Sequence, residues 1–312
     1  MSFFPGKDPL PGDAIGCAAI ENIIVPRSVD LGGFGVRRAL PHTTRRMVGP
    51  YVFFDHFGPA EFRAGEGLNV RPHPHIGLST LTYLFNGEVM HRDSLGTAAA
   101  IRPGEVNWMT AGRGIVHSER TAPERRQGKE PLHGLQCWIA MPAKDEERAP
   151  SFTHLDGGKL PVITGEGKTI RIVAGSFLGT QSPLATNIAT LFADALLGAG
   201  ASLPFDPTYE ERAIYVVSGQ IDIAGDRFDA GRLLVFRPGD PITLSAVEPS
   251  RITLIGGEAL DGPRHVWWNF VSSRKERIEQ AKADWKMGRF DTVPGDTVEF
   301  IPLPEDQPPA TD

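Results

Sequence analysis

From residue 20 to about residue 271 the chain reads as short runs of β-branched, aromatic and aliphatic residues, each closed by Gly, Pro, Asp or Asn. The clearest runs cover residues 77–85, 134–140, 170–173, 214–217, 233–236 and 251–255. Runs of this length, bounded in this way, predict β-strands, and their number predicts an all-β protein. After residue 272 the pattern changes. Ser273-Arg-Lys-Glu276 has the form of a capping box, and Ile278, Ala281 and Trp285 follow at helical spacing among charged residues. One short amphipathic helix is therefore expected near the C-terminus, packed on the adjacent barrel. Beyond Val293 the chain carries Pro302, Pro304, Pro308 and Pro309 among acidic residues, so its end is expected to be extended or frayed.

The strand pattern occurs twice. Tyr83-Leu-Phe-Asn-Gly87-Glu-Val is echoed by Tyr215-Val-Val-Ser-Gly219-Gln-Ile, and Arg102-Pro-Gly-Glu105 by Arg237-Pro-Gly-Asp240. The offsets are 132 and 135 residues, with the difference assigned to the hairpin around Ala224. Two β-barrels in tandem are the simplest reading, divided into residues 1–150 and 151–312. Composition agrees with it. Hydrophobic residues make 40% of the 312 positions, enough for a core, and 35 Gly with 27 Pro supply the turns.

A formal net charge of −6 offers no basic field for phosphate backbones, so nucleic acid is not an expected direct ligand. No run reaches the length of a membrane span, and the first residues have neither a basic nor an apolar leader segment. A cytoplasmic protein without a membrane partner is the expectation. The only cysteines, Cys17 and Cys137, are too far apart in sequence for a CxxC motif. Histidine is the more informative source of metal ligands.

In Arg71-Pro-His73-Pro-His75 two imidazoles stand two residues apart, and an extended strand points residues i and i+2 to one face. In Ile115-Val-His117-Ser-Glu119 a histidine and a carboxylate repeat that spacing. If the two strands are neighbours, His73, His75, His117 and Glu119 offer three nitrogens and one oxygen to a single interior point. Such a set suits a divalent transition ion with open positions left over, and suits calcium or magnesium poorly. Iron, nickel, manganese, copper, zinc and cobalt all remain open on donor type alone. His42, His91, His133, His154 and His265 are read as core or surface residues. Shifting the four candidates by the repeat offsets reaches Phe205, Pro207, Ile252 and Leu254, so the second barrel is expected to be metal-free.

The segments Phe54-Asp-His-Phe-Gly58, His73-Pro-His75, Tyr83-Leu-Phe-Asn-Gly87, His91-Arg-Asp-Ser-Leu-Gly96, Trp108-Met-Thr-Ala-Gly-Arg-Gly114 and His117-Ser-Glu119, taken in order, resemble the pirin family. The resemblance runs from about residue 36 to 300. It implies a bicupin: two jelly-roll barrels, with Fe2+ held in the first by His73, His75, His117 and Glu119. It further implies either flavonol 2,3-dioxygenase activity, on a small aromatic substrate such as quercetin with O2, or metal-dependent binding of a protein partner. For the enzyme, Glu119 is the candidate base for the substrate hydroxyl. Asp55 and His56 are candidate outer groups or a structural turn, and Trp108, Met109 and Tyr83 are pocket lining or core. Where many cupins carry a glutamate shortly after the second histidine, this chain has Gly77-Leu-Ser79-Thr80. For the regulatory reading, Arg113, Arg120, Arg125, Arg126 and Lys129 form a candidate docking patch or a solvated loop.

Overall fold

In the computed structural model, which describes residues 18–30 and 35–306, all six runs singled out above become strands. Residues 77–85 fall on Leu78–Asn86, 134–140 on Glu130–Ala140, and 170–173 on Lys168–Ala174. Residues 214–217 fall on Glu211–Ser218, 233–236 on Leu233–Phe236, and 251–255 on Ser250–Gly257. The fold is the expected pair of jelly-roll barrels, with one α-helix among the described residues, Lys275–Lys286.

The chain groups into two units, one of residues 1–56 and 155–259, the other of residues 57–154 and 260–312. Among the described residues, the strand Ile20–Ile24 pairs with Leu233–Phe236 of the second barrel, and residues 260–306 group with the first. Each barrel therefore owes part of its packing to a segment remote in sequence, which local patterning cannot reveal.

The barrels repeat one topology. In the unit of residues 57–154 one sheet runs Asn69–His75, Ile115–Arg120, Val89–Asp93, Ala98–Ile101. In the other unit the same order is Ser202–Phe205, Ile242–Ala246, Gln220–Ile223, Asp226–Asp229. The opposing sheets match as well: Val106–Thr110, Leu78–Asn86, Glu130–Ala140 correspond to Leu233–Phe236, Glu211–Ser218, Ser250–Gly257. Tyr83 and Tyr215 thus occupy equivalent strands, as expected. The Arg-Pro-Gly segments do not. Arg102-Pro-Gly leads into Val106–Thr110, whereas Arg237-Pro-Gly follows the equivalent of that strand and leads into Ile242–Ala246. The true counterpart of Gly104 is Gly231, an offset of 127, because the second copy has the shorter hairpin. Two Pro-Gly turns of like composition closed different hairpins.

The helix differs from expectation at its start. Ser273 does not cap it; the N-cap is Arg274, in an extended conformation and without a side-chain bond. Ser273 is instead committed to Glu146, which accepts from its backbone N–H at 2.7 Å and its hydroxyl at 2.9 Å, and from the Ser272 hydroxyl at 3.1 Å. Buried Glu146 also pairs with buried Arg264 at 3.0 Å. Ile278 and Ala281 pack with Ile76, Phe270 and Leu303, ringed by Trp267, Trp268, Trp285 and Phe290. The tail is likewise docked: the Ile301 N–H donates to the Pro72 carbonyl at 2.8 Å, and Leu303 is buried. Residues 307–312, with Pro308 and Pro309, lie outside the described residues, as does Cys17.

Gly77 joins this C-terminal segment to the first barrel's strands. It sits at φ +67°, and a Cβ there would run into the Val271 carbonyl oxygen. Gly77→Ala is expected to destabilise the protein by about 2–4 kcal/mol, from left-handed strain plus the backbone clash, read as a lowered midpoint in chemical denaturation. An unchanged midpoint would show that the hairpin Phe270–Ser272 is not seated there.

Candidate metal centre

The strands Asn69–His75 and Ile115–Arg120 are antiparallel neighbours, with His117 directly opposite His73 and Ile115 opposite His75. Register therefore turns two remote sequence pairs into one cluster. The Nε2 atoms of His75 and His117 lie 3.1 Å apart. Ring centroids are separated by 4.4 Å for His73 and His117, and by 5.0 Å for His75 with either of the others. One ring nitrogen from each of the three falls within 4.8 Å of the other two. All three side chains are buried.

Backbone carbonyls set the rings. His73 Nδ1–H donates to the Arg71 carbonyl at 2.9 Å, and His75 Nδ1–H donates to the Asn269 carbonyl at 3.2 Å. A neutral imidazole that donates from Nδ1 carries a lone pair on Nε2, so these rings present acceptors, not donors, to the centre of the cluster. Burial pushes His75 and His117 well below the usual imidazole range, with the neighbouring His73 adding to the effect. Burial also lowers His73, partly opposed by the Arg71 carbonyl and by the charge of Glu119. Converging, neutral, unprotonated nitrogens are what a divalent transition ion requires and what two facing lone pairs otherwise resist. The residues fit such an ion.

Glu119 is not in that trio. A register shift between His117 and Glu119 carries the carboxylate opposite Val70 instead of Arg71. There it is buried and accepts from Gln136 Nε2 at 2.8 and 3.0 Å and from the Thr82 hydroxyl at 3.3 Å. Sequence reasoning missed Gln136. The available signal was alternation: Gln136 lies two residues before Trp138, whose ring meets the His75 ring edge-on at 5.2 Å, so both point to the cluster's side of Glu130–Ala140. Asn269 could not be read at all, because it contributes only a carbonyl.

The other candidates resolve plainly. Asp55 accepts from Arg38 at 2.8 and 2.7 Å, and His56 contacts the Tyr215 hydroxyl at 2.9 Å and Arg37 at 3.1 Å, all within the unit of residues 1–56 and 155–259. Both residues lie within the strand Tyr51–Phe62, not in a turn, and their contacts are structural ones. Tyr83, Trp108 and Met109 are core residues, and Met109 packs with Ala111 and Ile115. Of the basic stretch, Arg120 pairs with Asp296 and Glu299, Arg125 with Glu88 and Glu130, and Lys129 with Glu61. Arg126 donates to the Thr121 carbonyl. Three of the five are thus ion-paired within their own unit, while Arg113 is engaged through its backbone, its N–H donating to the Arg148 carbonyl at 2.9 Å and its carbonyl accepting from Arg277 at 2.6 Å.

Residues 33–139 match the family model described as Pirin, and residues 192–291 match the Pirin C-terminal cupin domain. A "Pirin-like protein" of Caulobacter vibrioides is 47% identical over 92% of this chain and all of its own length. The chain belongs to the pirin family. The mouse protein named Pirin is 34% identical, over 81% of this chain and 87% of its own. Among solved structures, a quercetin 2,3-dioxygenase from Acinetobacter baumannii superposes with a TM-score of 0.84 and 33% identity, covering 93% of this pirin and 97% of that chain. No helix among the described residues of this pirin is long and apolar enough to cross a membrane.

The lowered histidines give a signed pH dependence for metal-stripped protein. Below about pH 6.5 the unfolded chain protonates these imidazoles while the folded state does not, so the unfolded state binds more protons and stability is lost as the pH is lowered. The loss should begin near the unfolded-state value and level off once the folded histidines also protonate. Denaturant titrations between about pH 8 and pH 5 check this, and a flat profile over that window would contradict it.

Proposed function

We propose that this pirin is a metal-dependent dioxygenase that opens flavonols such as quercetin with O2, and that its ion is held by His73, His75 and His117 with Glu119 as the carboxylate of the set. The observation that carries the reading is the trio of buried, neutral imidazoles beside a carboxylate held by Gln136. The similarity to a quercetin 2,3-dioxygenase structure across nearly all of both chains supports it. Fe2+ is the proposed ion, with nickel, manganese, copper, zinc and cobalt as the competitors to be tested in its place.

When bound, such an ion supplies Lewis acidity and positions on which a flavonol's 3-hydroxyl and 4-carbonyl can be held together. The protein's own residues then have distinct tasks. Glu119 takes the 3-hydroxyl proton onto a carboxylate oxygen, which favours the enolate that reacts with O2. Gln136 and Thr82 donate to that carboxylate and fix its orientation before substrate arrives. Trp138 against His75 leaves the imidazole little room to rotate. The overall change converts flavonol and O2 to a depside and carbon monoxide. Ser79 and Thr80, where other cupins have a glutamate, contribute no second carboxylate, so the proton has one acceptor of this kind.

Elemental analysis of purified protein combined with anaerobic flavonol titration of the Fe2+ form tests the reading. His73→Ala and His117→Ala should lose the ion and the flavonol-induced spectral shift, while His154→Ala should keep both. Glu119→Gln should lower turnover by about 10²–10⁴-fold if the carboxylate is the base. Protein loaded with each first-row ion in turn that neither binds nor oxidises any flavonol would remove the dioxygenase assignment.

A further inference from the structure

The third imidazole is oriented differently from the other two. Among the described residues no backbone carbonyl bonds His117 Nδ1; that atom lies 3.4 Å from Nδ1 of His91. His91 Nε2 in turn lies 3.1 Å from Asp93 Oδ2. The ladder makes the arrangement: on the strand Val89–Asp93, Asp93 is opposite His117 and His91 opposite Glu119. His91, Asp93 and His117 are all buried, and Phe152 stacks on His91 with centroids 4.4 Å apart.

For a neutral His91, counting protons along this chain leaves one solution. An ionised carboxylate only accepts, and Asp93 Oδ1 already accepts the N–H groups of Leu95 at 2.9 Å and Thr97 at 3.1 Å. Oδ2 must then receive a proton-bearing His91 Nε2. A neutral His91 with its proton on Nε2 has a bare Nδ1, so the bond to His117 requires the proton on His117 Nδ1. His117 Nε2 is left as a lone pair, facing the His75 Nε2 lone pair.

We propose that His91 and Asp93 are positioning residues that hold His117 in the tautomer whose Nε2 is free to bind a metal ion. The inference rests on the metal-centre reading above and deepens it, by assigning a role to a histidine that the sequence pattern relegates to the core. Asp93 acts at a distance of one imidazole, anchored by the turn at residues 93–97 that its other oxygen closes. A carbonyl does this work for His73 and His75. For His117 a carboxylate does it through a relayed proton.

Asp93→Asn tests the relay, because it keeps the shape and reverses the bond to His91 and, through it, the bond to His117. With Asn Oδ1 retained by the Leu95 and Thr97 N–H groups, its amide NH2 faces His91 Nε2 and donates. His91 must then carry its proton on Nδ1, and His117 must accept there and carry its own proton on Nε2, where the ion would sit. Histidine 15N–1H correlation spectra of metal-stripped, full-length protein should show His117 protonated at Nδ1 in wild type and at Nε2 in Asp93→Asn. Nickel(II) affinity, measured by competition with a chromogenic chelator, should fall about 10–100-fold in Asp93→Asn. His91→Asn, which can place an amide oxygen near the lost Nδ1, should bind more tightly than His91→Phe. A wild-type His117 protonated at Nε2, or an Asp93→Asn protein with unchanged tautomer and affinity, would overturn the proposal. If Asp93→Asn does not fold, the wild-type tautomer and the His91 pair decide. Wild-type protein that takes up no nickel while His117 shows the Nδ1 proton would count against the metal reading and leave the relay standing.

Discussion

The antiparallel register between Asn69–His75 and Ile115–Arg120 is the constraint from which the site follows. Within one strand, spacing by two can put side chains on a common face, but it cannot bring His117 to His73. Pairing does that, and a slip of one residue would send one strand's histidines to the opposite face. The cluster so formed is costly in its own terms. Three imidazoles are buried where their charged forms are disfavoured, with the Nε2 atoms of His75 and His117 only 3.1 Å apart. A fold that holds such a cluster together must supply compensating bonds behind each ring, and it does so by three routes: the Arg71 carbonyl, the Asn269 carbonyl, and the His91–Asp93 pair.

The second barrel shows what the same ladder does without chemistry. There Leu244 stands opposite Leu203 and Ile242 opposite Phe205, as His117 stands opposite His73 and Ile115 opposite His75. The positions equivalent to His73, His75, His117 and Glu119 are therefore Leu203, Phe205, Leu244 and Ala246, all in one apolar core. Burying a Leu or Phe side chain is favourable by about 1.5–3 kcal/mol, so this barrel gains stability at the points where the other accepts a penalty. The contrast agrees with a division in which one barrel is specialised for binding and its copy for packing.

Much of this was legible in the sequence, and the failures share one cause. Strand runs, the helix face of Ile278 and Ala281, and the shared face of His73 and His75 follow from local side-chain geometry and appear where the pattern puts them, whereas Glu119 does not join the imidazoles. What local pattern cannot carry is the partner. Ser273 has the spacing of a cap but is claimed by Glu146 from a different part of the chain. Arg237-Pro-Gly looks like Arg102-Pro-Gly because both close hairpins, yet only topology tells which hairpin. His91 looks like a core residue in sequence because what distinguishes it is two contacts, one with Asp93 two residues away and one with His117 across the ladder. Asn269 acts through a carbonyl, which every residue has.

Glu119 is where these themes meet. Sequence spacing alone makes it the twin of His117, as His73 is of His75, and an undistorted ladder would deliver both to the same point. The irregularity after His117 breaks that equivalence and gives the carboxylate its own partners, Gln136 and Thr82, on the opposing sheet. A carboxylate fixed by neutral donors keeps acceptor capacity for a proton or a cation, whereas one locked in an ion pair would have spent its charge. The carboxylate outside the imidazole trio is thus oriented by neutral donors, which is the condition the proposed base needs if it is to take a proton from a substrate.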